Sequence, residues 1–578
     1  MNDRASDATA PATAVTPAAP QAPPGGATSA PPDGSIKETI ESIVIAFILA
    51  FIFRGFIVEA FVIPTGSMAP TLLGAHMRFT CPDCGYRYDV NYQSEGGLDV
   101  EDVNIPSHAV VREIDPRTGR FTGRAANRVL SINCPNCGFK IPRVDPHDAA
   151  NDATAPPVRY GDRILVLKYL YLLTEPRRWD VVVFKAPVNP DKYDYGQNYI
   201  KRLVGRPGES VYILDGDIYI GKPGAPAGEY EVQTKPRHVQ DALWRIVYDN
   251  DYLPRGLGHW TQPWQAKPEE TGWKTDGRQF TFDNMAGGST LRFNADANPD
   301  KHALTDWLAY DVSAMQQARR ETDTFHTRSY EPHNNVSDLR LSFYYRREAG
   351  DGPLTLVMSK LDQEFSARLT PEGAQLLMRR DDQDAVPIGD VVPLSLRAGC
   401  AAHVELVNAD YQVELRIDGR LVARTTRDQY RPDIPRLMTA AEKHEREPRP
   451  RVQIVAERQR ATLSHVSLWR DVYYLNREEV QGGGPVHWAS PMNFPEHVMR
   501  LGEDEYFVLG DNSLLSGDAR TWREPIALPD ENLFAEDGRV PGRFMIGKAF
   551  FVYWPAGYRP IDSAPALVPN FGDMRFIH

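Results

Sequence analysis

Residues 61–73 have the sequence FVIPTGSMAPTLL and place Ser67 between a glycine and a methionine. Pro64 and Pro70 disfavour a helix here, so the pattern predicts an extended or turning backbone that leaves the serine accessible. A serine in such a segment can act as a nucleophile if another group takes its proton. The segment therefore predicts a candidate nucleophile whose base must come from elsewhere in the chain.

An apolar stretch lies immediately before this segment. Ile43 to Phe53 is an uninterrupted apolar run of 11 residues. The flanking Ile40 and residues 56–58 extend it to about 20 residues, enough to span a bilayer once. A cleaved signal peptide is the alternative, but the run begins far from the first residue and no basic segment precedes it. We therefore expect an uncleaved, single-pass anchor over residues 36–60, whose flanking charges are too balanced to orient it.

The composition is that of a folded protein of several domains. Of 578 residues, 42% are hydrophobic and 25% are charged, and 47 prolines with 43 glycines favour a β-rich chain with many turns. The net charge of −12 is spread along the chain and does not suggest a nucleic-acid partner. Residues 1–35 are rich in alanine and proline and predict a disordered tail.

Two Cys-Pro-x-Cys-Gly motifs, at 81–85 and 134–138, bracket an insertion over residues 75–158. Paired motifs of this kind match tetrahedral zinc–thiolate sites, so we expect a zinc-ribbon-like module with one structural zinc. Disulfides within or between the motifs are the alternative, which an oxidising compartment would permit. The predicted ligands are Cys81, Cys84, Cys134 and Cys137. The fifth cysteine, Cys400, is isolated, and we expect it to be buried.

From residue 159 the pattern changes to short β-branched runs separated by turn residues. Residues 160–168, 178–185 and 199–213 predict strands, and the Asp-Gly pair at 215–216 predicts a hairpin turn.

A second and larger insertion covers residues 226–484. Its second half alternates apolar and polar residues at 339–345, 403–407, 411–417 and 461–468. Many short strands at such spacing predict an antiparallel β-sandwich.

The base for Ser67 is not obvious from residue types. Among 14 histidines only His76 lies close in sequence, and we expect it to be a surface residue. A lysine can serve instead if burial lowers its pKa far enough for the amine to be neutral. Lys201 lies between Ile200 and Leu203 on an apolar predicted strand, which is the environment that such a base needs. An exposed strand lysine is the alternative.

Four motifs occur in order along the chain: PTGSMAPTL at 64–72, GDRILVLK at 161–168, KRLVGRPGE at 201–209 and GDNSLLSGDAR at 510–520. They resemble the motifs of bacterial type I signal peptidases (leader peptidases), which are serine endopeptidases with a Ser-Lys dyad. The resemblance covers roughly residues 36–74, 159–225 and 485–560 and leaves out both insertions.

The resemblance implies Ser67 as the nucleophile and Lys201 as the general base. It implies an oxyanion hole formed by the Ser67 amide and the Thr65 hydroxyl, and a Ser516 hydroxyl that orients the lysine. The supporting residues that it implies are Arg202, Asp511, Asn512, Asp518 and Arg520. The residues that would border the substrate pocket are Ile63, Pro64, Met68, Tyr199 and Ile200. No cofactor is implied for catalysis.

The implied substrate is the signal peptide of a preprotein, bound in an extended form and cut after a small residue at an Ala-x-Ala site. The implied location is the bacterial cell membrane, with the catalytic domain on the extracytoplasmic face. Departures from the family pattern are mild. Ala519 replaces a frequent serine, Glu209 replaces aspartate, and Trp179 stands where glycine often occurs.

The whole chain is thus predicted to be mainly β: a signal-peptidase-type antiparallel core with one N-terminal transmembrane helix, an inserted concanavalin-like sandwich and a small zinc-ribbon-like insertion. Residues 61–74, 159–225 and 485–578 would form the core. The alternative function is a catalytically impaired, membrane-anchored protein whose sandwich, 226–484, binds a carbohydrate or another protein.

Overall fold

A computed structural model describes most of the chain from residue 36 onward, and the predicted disordered tail lies outside the described residues. The described residues are 36–52, 57–91, 112–114, 121–125, 133–139, 158–186, 197–256, 260–311, 334–381, 383–443, 445, 447–476, 498–514, 516–522, 525–528, 533–557 and 570–578. They are mainly β, which confirms the predicted fold class at that level. The chain divides into two compact units, one up to residue 55 and one from residue 56 onward.

The N-terminal unit contains a single described helix, α1, over Ile36–Ile52. Its apolar side chains Ile40, Phe47 and Ile48 are 53–61% exposed. The described helix has 17 residues, and residues 53–56, which follow it, lie outside the described ranges. Within the described ranges, no helix is long and apolar enough to cross a membrane. The anchor predicted over residues 36–60 therefore has no counterpart among the described helices.

The second unit is built almost entirely from strands. Those up to residue 225 are β1 Val58–Val62, β2 His76–Thr80, β3 Arg87–Asn91, β4 Arg112–Ile114, β5 Phe121–Ala125, β6 Val158–Arg159, β7 Arg163–Leu167, β8 Val181–Lys185, β9 Asn198–Gly205, β10 Ser210–Leu214 and β11 Asp217–Gly221. Those between residues 226 and 484 are β12 Glu231–Val232, β13 Arg245–Asp249, β14 Trp264–Gln265, β15 Trp273–Lys274, β16 Gln279–Phe293, β17 Leu339–Gly350, β18 Leu354–Lys360, β19 Gln363–Leu369, β20 Gly373–Arg380, β21 Val386–Pro393, β22 Ala401–Ala409, β23 Gln412–Ile417, β24 Arg420–Arg424 and β25 Val452–Arg470. The last are β26 Met499–Arg500, β27 Glu505–Leu509, β28 Ile526–Leu528, β29 Leu533–Ala535, β30 Val540–Pro541, β31 Met545–Trp554 and β32 Arg575–Phe576.

Short helices connect some of these strands. They are α2 Leu170–Leu173, α3 Arg237–Leu243 and α4 Ile434–Glu442, with 3-10 turns at Gly66–Met68, Ala227–Glu229, Pro299–Lys301, Ala309–Asp311, Gly542–Phe544 and Phe571–Asp573.

One eight-stranded sheet joins the three separated parts of the predicted core. Its order is β1-β7-β31-β8-β9-β27-β30, with β32 on β31, and the pairs are antiparallel. The β-branched and apolar residues of β8 and β9 are buried, which explains why these strands lie at its centre. Since β27 pairs with β9, and Leu509 lies opposite Arg202, the turn after β27 is held beside Lys201.

A four-stranded sheet, β12-β11-β10-β26, follows in the chain. The hairpin β10–β11 turns at Asp215 and Gly216, which have φ of 50° and 78°. This is the predicted Asp-Gly turn, in which both central residues need a positive φ.

Residues 245–470 contribute a 13-stranded antiparallel sheet around the largest apolar core of the described chain. The strand β25 is 19 residues long and pairs with β13, β16, β17 and β18. The alternating runs of the sequence correspond to β17, β22, β23 and β25, so these strand predictions are confirmed. The concanavalin-like topology remains a prediction.

Cys400 is exposed, so the expectation that it is buried was wrong. It lies in the turn before β22, directly after Gly399 with φ of 78°. Turns lie on the surface, because their backbone groups need water, and the side chains that they carry are exposed with them.

Candidate active site

Ser67 lies in the 3-10 turn Gly66–Met68, which begins two residues after Pro64, and β1 ends at Val62. The prolines and the extended Thr65 (φ −117°, ψ 161°) keep this segment out of a longer helix, as the sequence predicts. Ser67 is 9% exposed, so most of it is shielded from bulk water.

The structure brings Lys201 of β9 to the serine. The distance from Lys201 Nζ to Ser67 Oγ is 2.8 Å, and Nζ also donates to the Ile200 carbonyl at 3.0 Å. Lys201 is 4% exposed. A general base must lie about 2.6–3.2 Å from the proton donor, so this pair has the geometry for proton transfer.

Burial lowers the pKa of Lys201 to about 8, because the charged ammonium loses its hydration. The carboxylates of Asp518 and Asp511 oppose this shift, and the guanidinium of Arg520 adds to it. At pH 7 roughly a tenth of the amine is therefore neutral, and this fraction rises steeply towards pH 8. An ordinary, exposed lysine would be almost completely protonated there.

The Thr65 side chain is placed beside the same hydroxyl. Its Oγ1 lies 3.4 Å from Ser67 Oγ, and the residue is exposed at the entrance of the site. A hydroxyl at this position can point at an oxygen bound near Ser67, together with the Ser67 amide.

Ser516 lies in the loop after β27, but it is not among the hydrogen-bond partners of Lys201 within the described residues. The side chain is buried against Gly510. A Cβ at that glycine would lie 2.1 Å from Ser516 Oγ and 2.5 Å from the Ser67 carbonyl oxygen. Any larger residue at position 510 would push these two parts of the site apart.

Two buried ion pairs hold the β9 strand and the loop after β27. Arg202 makes two 2.7 Å contacts with the carboxylate of Asp511, and both side chains are fully buried. Arg520 pairs with Asp518 at 2.7 Å. Arg202 and Arg520 thus each have a carboxylate partner of their own.

Asp518 also accepts a bond from the Gly510 amide at 2.9 Å. Burial would raise the pKa of Asp518, but Arg520 and this amide outweigh burial and lower it. The carboxylate is thus held ionised between the two segments.

Asn512 joins the loop to the serine turn directly. Its backbone N–H donates to the Ser67 carbonyl at 3.0 Å, and its Nδ2 donates to the Gly66 carbonyl at 3.2 Å. Both carbonyls flanking the nucleophile are therefore held by one residue.

The residues expected to border the substrate pocket divide into two groups. Ile63, Met68 and Ile200 are buried in one apolar cluster. Pro64 is exposed, and Tyr199 is half-buried with its ring 5.3 Å from Lys201 Nζ. The structure thus places all five around the Ser67 turn and β9.

Sequence reasoning missed three residues of the large insertion that contact the serine segment or Asn512, the residue that holds it. They are Arg245, Tyr310 and Asp311. The four sequence motifs give no signal for them, because none of the three lies within a motif. Only their position in the folded chain identifies them.

His76 was expected on the surface and is instead fully buried. Its Nδ1 lies 2.8 Å from the Gly74 carbonyl, and its Nε2 lies 3.6 Å from Asp89. Burial lowers its pKa. His76 is the first residue of β2, and within the described chain it is not hydrogen-bonded to Ser67.

The four cysteines of the two motifs come together and are not joined by disulfides. The Sγ atoms of Cys81 and Cys137, and those of Cys84 and Cys134, are 3.7 Å apart. A tetrahedron with Zn–S bonds of about 2.3 Å has S–S edges of about 3.8 Å. The sulfur positions therefore fit a four-coordinate zinc. The two sulfur–sulfur distances are far longer than a disulfide bond of about 2.05 Å.

A cavity of about 230 Å³ lies where the serine segment, the cysteine module and the large insertion meet. Its walls include Ala69, Pro70, Tyr88, Trp244 and Trp307. Ser67 and Lys201 are not among its lining residues, so it is separate from the dyad.

Residues 36–90 and 144–269 match a family model described as signal peptidase, peptidase S26. The match includes both Ser67 and Lys201. A probable signal peptidase I-1 of Synechocystis sp. is 31% identical over 101 residues, 17% of this chain and 50% of that protein. Signal peptidase I of Aquifex aeolicus is 46% identical over 56 residues, 10% of this chain and 20% of that protein. Signal peptidase I of Pseudomonas aeruginosa is 35% identical over 86 residues, 14% of this chain and 26% of that protein.

The chain spans half the length or less of these curated relatives. Among solved structures, a carbohydrate-binding module, CBM66, from Bacillus subtilis aligns with 36% of this chain and 95% of its own, at 9% identity and a TM-score of 0.22. So low a score supports no conclusion about the insertion. The family match instead falls on the segments that build the Ser67–Lys201 site. Over these residues, the chain is similar to the signal peptidase family, peptidase S26.

Proposed function

We propose that this protein is a serine endopeptidase that removes signal peptides from preproteins through a dyad of Ser67 and Lys201. One observation carries the proposal: a buried lysine amine with a lowered pKa lies 2.8 Å from the serine hydroxyl. The two residues lie in segments that the family model matches.

In the acylation step, neutral Lys201 accepts the proton of Ser67 as Oγ forms a bond to the scissile carbonyl carbon. The negative charge moves to the carbonyl oxygen, where the Ser67 N–H and the Thr65 hydroxyl stabilise it. The tetrahedral intermediate collapses and the C–N bond breaks. The Lys201 ammonium gives its proton to the leaving amine, which is the new N-terminus of the mature protein.

In the deacylation step, a water molecule gives a proton to Lys201 and adds to the ester carbon. Collapse breaks the bond to Ser67 Oγ, which regains the proton from Lys201. The signal peptide leaves with a free carboxylate, and both residues return to their starting states.

We infer that the residue at the cut is small. Ile63, Met68 and Ile200 are packed together in one buried apolar cluster, which supports a pocket for a small side chain. Within the described chain, β1 pairs with β7 alone and forms an edge of the core sheet. An extended signal peptide can add to such an edge by backbone hydrogen bonds.

Cleavage of a purified preprotein in detergent tests the proposal. The wild-type protein should release the mature protein, with cleavage after an Ala-x-Ala site as read by mass spectrometry. Ser67→Ala should lower the rate by at least about 1000-fold, because the acyl-enzyme cannot form. Full activity in Ser67→Ala, or no cleavage by the wild type, would refute the proposed function.

We further propose that the protein is bound to the bacterial cell membrane through the apolar segment that includes α1. The exposure of its apolar side chains supports contact with lipid or another apolar surface. The full chain should sediment with membranes and resist an alkaline carbonate wash, whereas a variant that begins at residue 57 should be released. Recovery of the full chain in the supernatant would contradict this proposal.

The four cysteines are proposed to bind one structural zinc. Cys81, Cys84, Cys134 and Cys137 are buried and have the sulfur spacing of a zinc–tetrathiolate site. Zinc in such a closed site would stabilise the fold and would take no part in the peptidase reaction.

A further inference from the structure

The large insertion reaches the nucleophile. Its 3-10 turn Ala309–Asp311 packs beside the turn that carries Ser67, and its strand β13 begins next to the same turn. These contacts are buried, so they form part of the interior of the site.

Asp311 of the insertion is hydrogen-bonded to Asn512, the residue that holds the serine turn. Its Oδ1 accepts a hydrogen bond of 2.6 Å from Nδ2 of Asn512, and both residues are fully buried. The same Nδ2 donates to the Gly66 carbonyl at 3.2 Å. Both partner atoms are acceptors, so the amide NH₂ of Asn512 must face them. Asp311 therefore fixes the orientation of the group that holds Gly66.

The direction of the oxyanion donor depends on this contact. The Gly66 carbonyl and the Ser67 N–H belong to one planar peptide unit and point in opposite directions. A donor that holds the carbonyl thus sets where the N–H points. We propose that Asp311 is a positioning residue that aims the Ser67 amide at the substrate oxyanion through Asn512 and Gly66.

Two neighbours of Asp311 strengthen the same arrangement. The ring of Tyr310 covers Gly66, where a Cβ would lie 2.5 Å from the Tyr310 Cε1 atom. Arg245 of β13 donates to the Ala69 carbonyl at 3.1 Å and to the Asp511 carbonyl at 3.2 Å. The insertion thus contacts the serine turn, the residue that follows it and the loop after β27.

The turn also contacts the cysteine module. Ala309 belongs to the buried cluster that contains the four cysteines, and the turn packs against β3. One short segment of the insertion therefore links the predicted zinc site to the serine turn.

The chemistry of Asp311 allows a conservative replacement. Burial raises its pKa to about 7, while the bond from Asn512 and the charges of Arg245 and Arg470 lower it. An asparagine at this position can keep the acceptor oxygen without a buried charge. Alanine removes the acceptor altogether.

This inference rests on the proposed peptidase function, and its test separates the two. Steady-state cleavage of the preprotein is measured for the wild type, Ser67→Ala, Asp311→Ala and Asp311→Asn. Asp311→Ala should lower kcat roughly 10- to 100-fold, less than the factor of about 100–1000 for loss of a direct oxyanion donor. KM should change by less than about threefold, since substrate binding does not use the oxyanion contact. Asp311→Asn should stay within about threefold of the wild type, because the amide oxygen accepts the same bond.

A peptide aldehyde gives a second measurement, because its adduct with Ser67 carries an oxyanion. Its affinity should fall in Asp311→Ala by the same factor as kcat/KM. In an Asn512→Ala background, Asp311→Ala should have little further effect, since Asp311 acts through Asn512.

Asp306→Ala is the matched control. Asp306 precedes Asp311 in the same segment of the insertion, and its carboxylate accepts a 2.8 Å hydrogen bond from Asn334. Asn334 lies far in sequence from the serine turn. It should alter the melting temperature while kcat stays near the wild-type value. The inference is overturned if Asp311→Ala cleaves like the wild type, if Asp311→Asn is equally impaired, or if the two losses add. Absence of cleavage by the wild type would refute the proposed function instead.

Discussion

Lys201→Met should lower kcat/KM at least about 1000-fold while leaving the fold intact. Methionine matches the length of the lysine stem but cannot accept a proton, and it suits the buried position, where the lysine is 4% exposed. Loss of the buried amine also removes the hydrogen bond to Ser67 Oγ. The measurement is preprotein cleavage, with circular dichroism and thermal unfolding to show that the variant is folded.

The pH dependence of the wild type gives the same assignment without a mutation. Only the neutral amine can accept the serine proton, and burial lowers the pKa of Lys201 to about 8. Activity should therefore be low below this pKa, rise as the pH increases through about 8, and then level off. This rise of activity with pH, the limb near pH 8, should be absent from the residual activity of Lys201→Met.

Lys301 provides a matched control for this limb. It is also buried, burial lowers its pKa to about 8, and its Nζ donates to the Val247 carbonyl at 2.8 Å. Lys301→Met should keep the limb near pH 8. If the limb disappears in Lys301→Met and persists in Lys201→Met, the base is Lys301, and the assignment of Lys201 as the base is contradicted.

Removal of the predicted zinc should strongly lower the free energy of unfolding. We expect elemental analysis to give about one zinc per chain, as four cysteine ligands require. Cys81→Ser or Cys134→Ser should lose the metal and several kcal/mol of stability. Structural zinc in small domains contributes on the order of 10 kcal/mol of binding free energy that acts as folding free energy. Denaturant unfolding of the wild-type chain, with and without a metal chelator, measures this loss of stability.

Cys400→Ser is the control for the zinc prediction, because Cys400 is exposed and far in sequence from the four clustered cysteines. It should retain the metal and the wild-type stability. Since Ala309 packs with the cysteines, the variants that lose zinc should also cleave more slowly. Protein from its native membrane with a Cys81–Cys84 disulfide, or with no zinc, would contradict the prediction.

Much of the core could be predicted because its information is local. Short β-branched runs, Asp-Gly turns and the prolines around Ser67 act through the backbone of the residues that carry them. The order of the motifs then predicted the dyad, although Lys201 lies 134 residues after Ser67 in sequence. The cysteine spacing similarly predicted that four sulfurs would meet.

The predictions that failed depend on surroundings. His76 is buried by the elements that pack around it, and Cys400 is exposed because it lies in a surface turn; residue type encodes neither outcome. Trp179 stands where glycine often occurs and has φ of 75°, a conformation that a non-glycine residue rarely adopts. Its ring is buried, and its carbonyl accepts a bond from Arg202 at 2.8 Å. Tertiary contacts thus hold a backbone that the residue itself disfavours.

The sequence by itself predicted the candidate nucleophile, the lysine proposed as its base and the strands that carry them, because the motifs act on neighbouring residues and keep their order. Only the tertiary structure decided that Arg202 pairs with Asp511, that Asp311 of the insertion bonds Asn512, and that Arg245 of the insertion bonds the Ala69 carbonyl. The physical reason is that hydrogen bonds and buried ion pairs act over about 3 Å, and no local pattern specifies which residues, hundreds of positions apart, will come that close.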